Sequence, residues 1–231
     1  IATSITLGVP HPPGTPFYLL LGNFFSQLPT YSDLGARVNL ISPLFSALAV
    51  MFLYLIIVQL IEEWRGKVKS WPDRLIVYGS AIIGAFTFAV TDSHWFNAVE
   101  AEVYSISTFF TSIVVWLILK WSTNSGHPGN VRYILIIAYM FGLAIGIHLL
   151  NLLALPFIAL IVYFNKYQFK PGTFMVTIGI TIITFIVIYL GIIKGLPNMA
   201  NSFGLNLPIF VVLSIFATMA YSVWKNYYQL S

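Results

Sequence analysis

The chain has 231 residues, 58% of them apolar and only 8% charged, with a net charge of +4 and a mean hydropathy of +0.87. Soluble domains carry about 25% charged residues, so a water-solvated globule is excluded and the bilayer is the expected solvent. The positive charge is sparse and no basic run is interleaved with stacking aromatics, which argues against a nucleic-acid partner. The absence of cysteine excludes disulfides, thiolate metal sites and Cys nucleophiles.

Apolar runs near twenty residues favour helices over a barrel, which would show short alternating strands. The expected fold class is therefore all-α: a polytopic membrane helical bundle forming a single transmembrane domain over residues 1–231. The chain starts at Ile1 with no basic stretch before an apolar core, so no signal peptide is visible and a piece of a longer protein is expected. Residues 12–29 come first. Phe17, Leu20, Leu21, Phe24, Phe25 and Leu28 recur on one helical face. The segment is too short to span, so it reads as an interfacial or re-entrant helix, with Pro16 suited to its first turn.

Seven spanning helices follow within residues 37–225, at 39–61, 75–91, 101–121, 133–149, 152–164, 173–193 and 207–224. The fifth contains Pro156 and follows the fourth almost without a break, which predicts a tight hairpin or a kinked pair. Arg65, Lys67, Lys69, Arg74, Lys120, Arg132, Lys166, Lys170 and Lys225 fall on one side of this bundle, and only Arg37 and Lys194 on the other. The basic side is expected to be cytoplasmic. The N-terminus, residues 92–100, the turn at 148–151 and a loop at 195–206 then face outward. An outward N-terminus implies a further transmembrane helix upstream of Ile1.

Polar chemistry gathers at the outer side in three clusters. His11, Pro12, Pro13 and Gly14, followed by Thr15 and Pro16, form a stiff extended mount that could hold His11 and nearby N–H groups against a substrate, or simply lead into a helix. Asp92, Ser93, His94, Trp95, Phe96, Asn97, Glu100, Glu102 and Tyr104 set three carboxylates and an imidazole where two spans meet the interface. Charged groups at that depth are expensive unless paired, hydrated or used. An aromatic belt and a helix N-terminus favouring Glu100 and Glu102 are the bland alternatives. Asp92, Ser93 and His94 are not a hydrolase triad, because adjacent residues cannot aim at one point. Finally, His148 and Asn151 share a helical face after the small-residue pattern Gly142 to Gly146. A divalent cation among His11, His94, Asp92, Glu100, Glu102 and His148 is conceivable, but no ligand spacing supports it, and no metal site is assigned.

Three segments carry a resemblance to one family: residues 8–16 (GVPHPPGTP), 95–104 (WFNAVEAEVY) and 146–151 (GIHLLN). In order and spacing they resemble the transmembrane-protein-two-sixty-type protein O-mannosyltransferases, a group within the GT-C glycosyltransferases. The likeness covers most of residues 1–165, and residues 173–231 match only in character. It implies a GT-C-like bundle that transfers a sugar, mannose for this family, from a polyprenyl-phosphate donor to a Ser/Thr hydroxyl of an acceptor protein on the periplasmic or lumenal face. It also implies an acidic Asp-x-Gly-Glu-Phe-like motif just before the segment equivalent to Ile1, holding the main catalytic base. Within this chain Glu102 and Asp92 are then the assisting carboxylates. Substrate contacts are expected from His11, Pro12, Pro13, Gly14, Arg37, His94, Trp95, Asn97, Glu100, Tyr104, His148 and Asn151. No cofactor is expected beyond the lipid-linked donor. A transporter component and a non-catalytic scaffold are the competing classes. The first rests on intramembrane Gly and Pro, yet the ionisable groups sit at one rim instead of the midplane.

Overall fold

A computed structural model describes residues 1–9, 15–66, 68–126 and 129–229. Among the described residues the structure is helical, without strands. Residues 1–178 form one compact unit and residues 179–231 a second.

The first unit opens with a one-turn helix α1 (Ala2–Thr6), then α2 (Pro16–Ser26) and α3 (Leu34–Asn39). Asp33 caps α3, its carboxylate accepting from the Gly35 N–H at 2.6 Å. The long α4 (Ile41–Arg65) follows and ends at Gly66, whose φ of 89° suits glycine and stops the helix. Ser70 caps α5 (Trp71–Ala89), accepting from the Asp73 N–H and donating its hydroxyl to the Asp73 carboxylate at 2.6 Å, while Pro72 occupies the first turn. After α5 the chain turns by 64° into α6 (Asp92–Val99). Then come α7 (Tyr104–Thr123), α8 (Val131–Ile145), a 3₁₀ turn (Leu149–Leu153) and α9 (Ala154–Lys166).

α7 is the central post. It packs against α4 along most of its length and also against α8 and α9. Edge-on rings fill the α4–α7 seam, with Phe45–Phe109 at 5.1 Å, Phe52–Phe109 at 5.8 Å and Phe52–Trp116 at 5.4 Å. Tyr18, Val38, Ile41, Ile106, Phe110, Ala144 and Ile147 form the buried core where α2, α3, α4, α7 and the end of α8 converge. Polar staples lock the same end. Ser46 donates to Ser105 at 3.0 Å, Ser105 donates to the Asn97 carbonyl at 2.6 Å, and Asn39 donates to the Val99 carbonyl at 2.9 Å.

Among the described residues four helices are long and apolar enough to cross a membrane: Leu34–Arg65, Tyr104–Thr123, Leu149–Lys166 and Pro171–Phe203. The bent pair Trp71–Ala89 and Asp92–Val99 makes a fifth if it is one span, and Arg132–Ile145 and Asn206–Thr218 are shorter apolar helices. All seven apolar runs read from the sequence are thus helical, but fewer than seven reach spanning length. The fourth run stops early because the backbone at His148 is extended (φ −151°, ψ 134°). Pro156 does not kink the fifth: it lies in the first turn of α9, where its missing N–H needs no partner.

The stripe expected on residues 12–29 is divided in two. Phe17, Leu21 and Phe25 pack on the core, Leu20 and Phe24 are exposed, and Tyr18, Leu19, Gly22 and Ser26 form a further buried face. α2 is therefore covered from two sides, by α1 and by the bundle, instead of lying on one surface.

α10 (Pro171–Ile186) leads into the second unit, which continues as a π-helical stretch (Val187–Gly195), α11 (Leu196–Phe203) and α12 (Asn206–Gln229), with α11 packed on α12. The loop expected at 195–206 is instead mostly helix, ending at Gly204 with φ of 80°. Pro197 has no N–H for the preceding turn, and the widened π geometry just before it absorbs that gap without ending the helix.

Candidate functional site

A pocket of about 360 Å³ opens at the end of the first unit where the polar staples lie. α1 roofs it with Thr3 and Ser4, the start of α2 contributes Thr15 and Tyr18, the α6–α7 connection contributes Glu102 and Tyr104, and His148 closes the far side. Segments nearly 150 residues apart in sequence thus meet at one cavity.

Local chemistry explains each placement. α1 settles on α2 because Gly22 has no side chain: a Cβ there would meet the Ser4 Cβ at 2.6 Å. Asn23 completes the junction, donating to the Ile5 carbonyl at 3.0 Å. Glu102 lies in the turn just before α7, its N–H donating to the Glu100 carbonyl at 2.9 Å, so the carboxylate sits at the positive end of the α7 dipole. His148 is fixed by its own turn, where Nδ1 accepts from the Leu150 N–H at 3.2 Å. That bond assigns the ring proton to Nε2. His148 lies outside both flanking helices, and burial lowers its pKa below the usual histidine value, favouring the neutral imidazole. The Tyr104 ring is 5.4 Å from the His148 ring.

Two atoms in the pocket wall break the ordinary rule that buried polar groups are paired. Ser4 is fully buried and Tyr18 is 5% exposed, yet among the described residues neither Ser4 Oγ nor Tyr18 Oη has a hydrogen-bond partner. Burial, and secondarily the Glu102 carboxylate, push the Tyr18 phenol up to about 12, so it stays a neutral O–H donor. A carboxylate, a neutral imidazole and two unpartnered hydroxyls make a cavity suited to a neutral ligand rich in hydroxyl groups.

Of the residues expected from sequence, Glu102, Tyr104 and His148 meet at this pocket. Others are engaged elsewhere. Asn151 is buried and fully bonded: its Oδ1 accepts from Ser107 at 3.1 Å and Thr111 at 2.8 Å, and its Nδ2 donates to the carbonyls of Ala144 at 2.7 Å and His148 at 3.1 Å. It joins α7 to the end of α8 and has no capacity left for a substrate. Arg37 donates to the carbonyls of Tyr31 and Ser26, so its guanidinium closes the C-terminal end of α2. His94 is buried, 4.4 Å from the Phe88 ring and beside the Ser46 backbone. Asn97 serves through its carbonyl. Asp92, Trp95 and Glu100 are exposed and do not line the cavity. His11, Pro12, Pro13 and Gly14 lie outside the described residues. Among the described residues no three His, Cys, Asp or Glu side chains are grouped to hold a metal ion.

Sequence reading missed Ser4, Thr15 and Tyr18. The available signal was Tyr18 and Gly22, four residues apart: a polar-tipped aromatic and a small residue on one helical face, off the apolar stripe.

The family model for the Protein O-mannosyl-transferase TMEM260 N-terminal domain matches residues 1–170. The mouse Protein O-mannosyl-transferase TMEM260 is 26% identical over 145 residues, covering 63% of this chain and 19% of that protein. The Dictyostelium discoideum Protein O-mannosyl-transferase tmem260 is 26% identical over 170 residues, covering 68% of this chain and 19% of that protein. The chain therefore spans about a fifth of the length of these relatives. No solved structure matches it.

Proposed function

The chain belongs to the Protein O-mannosyl-transferase TMEM260 N-terminal domain family, and from that membership we propose that it forms the donor-side pocket of a membrane glycosyltransferase. The full enzyme moves a sugar, mannose by analogy with the relatives, from a polyprenyl phosphate to a Ser or Thr hydroxyl of an acceptor protein. The bundle crosses the bilayer seven times in a GT-C-like arrangement, with the basic loops cytoplasmic and the pocket at the periplasmic or lumenal face. The observation that carries this reading is the convergence of Glu102, His148, Tyr18 and Ser4 on one cavity.

In the proposed reaction the acceptor oxygen attacks the anomeric carbon, the bond from that carbon to the phosphate oxygen breaks, and its electron pair leaves with the lipid phosphate. The acceptor proton passes to a carboxylate. Glu102 is the carboxylate this chain places in the pocket, and the resemblance puts a further acidic residue upstream. The Nε2–H of His148 and the hydroxyls of Tyr18 and Ser4 hold sugar hydroxyls or the departing phosphate.

The test is transfer of labelled mannose from a polyprenyl-phosphate donor to a Ser/Thr peptide by the full-length protein in detergent. Glu102→Gln should lower kcat by about 10²-fold or more if its carboxylate takes the proton, and His148→Ala should lower transfer with the folded yield unchanged. Wild-type rates in both variants would refute the assignment. Solute flux through liposomes that ignores the lipid donor would favour a transporter.

A further inference from the structure

A second concavity, of about 720 Å³, lies where α7 ends and α8 begins. Ile134, Ile137 and Phe141 of α8 form one wall, Leu155, Ile158 and Val162 of α9 the other, and Trp121 of α7 contributes to its lining. Its origin is topological. α8 and α9 both pack on α7 but scarcely on each other, and the 3₁₀ turn joins them at their far ends. They therefore diverge toward the opposite end, where Asn165 ties α9 back to α7 by donating to the Ser122 carbonyl and hydroxyl at 3.0 Å. The volume falls within the ~300–1,000 Å³ typical of ligand pockets.

The rim differs from the walls. Lys166, the last residue of α9, is exposed, and Asn130 at the start of α8 donates to the Trp121 carbonyl while its Oδ1 is buried without a partner among the described residues. Among the described residues no carboxylate pairs with the Lys166 ammonium. No Asp or Glu occurs after Glu102. Lys120, Arg132, Lys166 and Lys170 all fall at helix ends on this side, and this half of the chain offers them no carboxylate. Lys120 and Arg132 lie instead over the rings of Trp116 and Tyr133, at 5.7 Å and 5.4 Å.

An apolar slot beneath an uncompensated ammonium group matches an acyl chain that ends in an anionic head. We propose that the α8–α9 groove is a site for one anionic glycerophospholipid from the surrounding leaflet. Its acyl chain lies between Ile137 and Ile158, its phosphate pairs with Lys166, and a headgroup hydroxyl donates to Asn130 Oδ1. The site is separate from the Glu102 pocket and does not depend on the reaction proposed there.

The experiment uses the full-length protein in nanodiscs containing either phosphatidylglycerol or phosphatidylcholine with a photoactivatable acyl chain, and maps the cross-links by peptide mass. Phosphatidylglycerol should label residues 134–141 and 155–162 several-fold more than phosphatidylcholine. Lys166→Gln, a change at an exposed position, should bring the two lipids to equal yield. Ala138→Trp should abolish labelling in the groove and leave labelling on α10 intact. Equal yields from both lipids in the wild type, no effect of Lys166→Gln, or cross-links spread evenly over the exposed faces of α5 and α10 would each overturn the proposal.

Discussion

Replacing Tyr18 by Phe separates a ligand-binding hydroxyl from a structural one. The ring is buried in the core and the Oη has no partner among the described residues. A buried hydroxyl left unpaired costs roughly 1–3 kcal/mol. Removing the oxygen while keeping the ring should therefore leave the unliganded protein as stable as the parent, or more stable by about 1 kcal/mol. Binding should move the other way. Loss of one neutral hydrogen bond of about 0.5–1.5 kcal/mol weakens donor binding by about 2- to 13-fold. The expected signature is an unchanged or raised melting temperature, a higher KM for the lipid-linked sugar and a smaller change in kcat. Thermal unfolding in detergent, together with transfer measured across donor concentrations, reads both quantities from one preparation. A lower melting temperature with KM unchanged would mean that the hydroxyl is bonded within the protein and that the pocket reading is wrong.

Gly22→Ala should raise KM without touching any ligand atom, because its Cβ would meet the Ser4 side chain at 2.6 Å and must lift α1 from the pocket. Larger residues at this position should be worse. Asn151→Ala should reduce stability by about 1–3 kcal/mol, since it strands the Ser107 and Thr111 hydroxyls and two carbonyls, and its loss of transfer should track its loss of folded protein. Ser105→Ala breaks the link from Ser46 to the Asn97 carbonyl. Hydrogen exchange over residues 92–103 should then rise, with a modest fall in stability.

The helices were legible in the sequence, but the direction each side chain faces was not. Hydropathy located every long helix, because a run of apolar residues reports its solvent whatever its neighbours. It could not tell that α8 would stop at Ile145, since the extended backbone at His148 is stabilised by a cap bond to the Leu150 N–H that has no compositional mark. The charge and imidazole clusters were likewise visible as clusters. Glu102 and His148 line one cavity because both lie beside helix ends at that end of the unit. Asn151 and Arg37, expected to face a substrate, bond the backbone around them, because a polar side chain near a site can equally serve that backbone. An asparagine that accepts twice and donates twice within the protein looks the same in sequence as one that faces a sugar. Tyr18 was hidden for the opposite reason: an aromatic residue inside an apolar helix reads as core, and only its unpartnered hydroxyl distinguishes it.

The polar residues bonded within the fold explain why those facing the pocket hold their positions. Glu102 sits on a connection that would be free to move if α6 were tethered at only one end. Asn39 holds the Val99 carbonyl and Ser105 holds the Asn97 carbonyl, so α3 and α7 grip that connection from both sides. Asn151 fixes the backbone of His148 from below while His148 caps the next turn with its own ring. Arg37 closes the end of α2, the helix that carries Tyr18. Each group facing the pocket thus rests on a polar side chain bonded to the surrounding backbone, while Ser4 Oγ and Tyr18 Oη stand unpaired in the cavity wall among the described residues. That division is what a preorganised site requires, because donors that need not reorganise contribute most to binding a developing charge. It also orders the variants. Changes at Tyr18, Glu102 and His148 should alter transfer with folding intact, whereas changes at Asn151, Ser105 and Arg37 should alter transfer only to the extent that they loosen the fold.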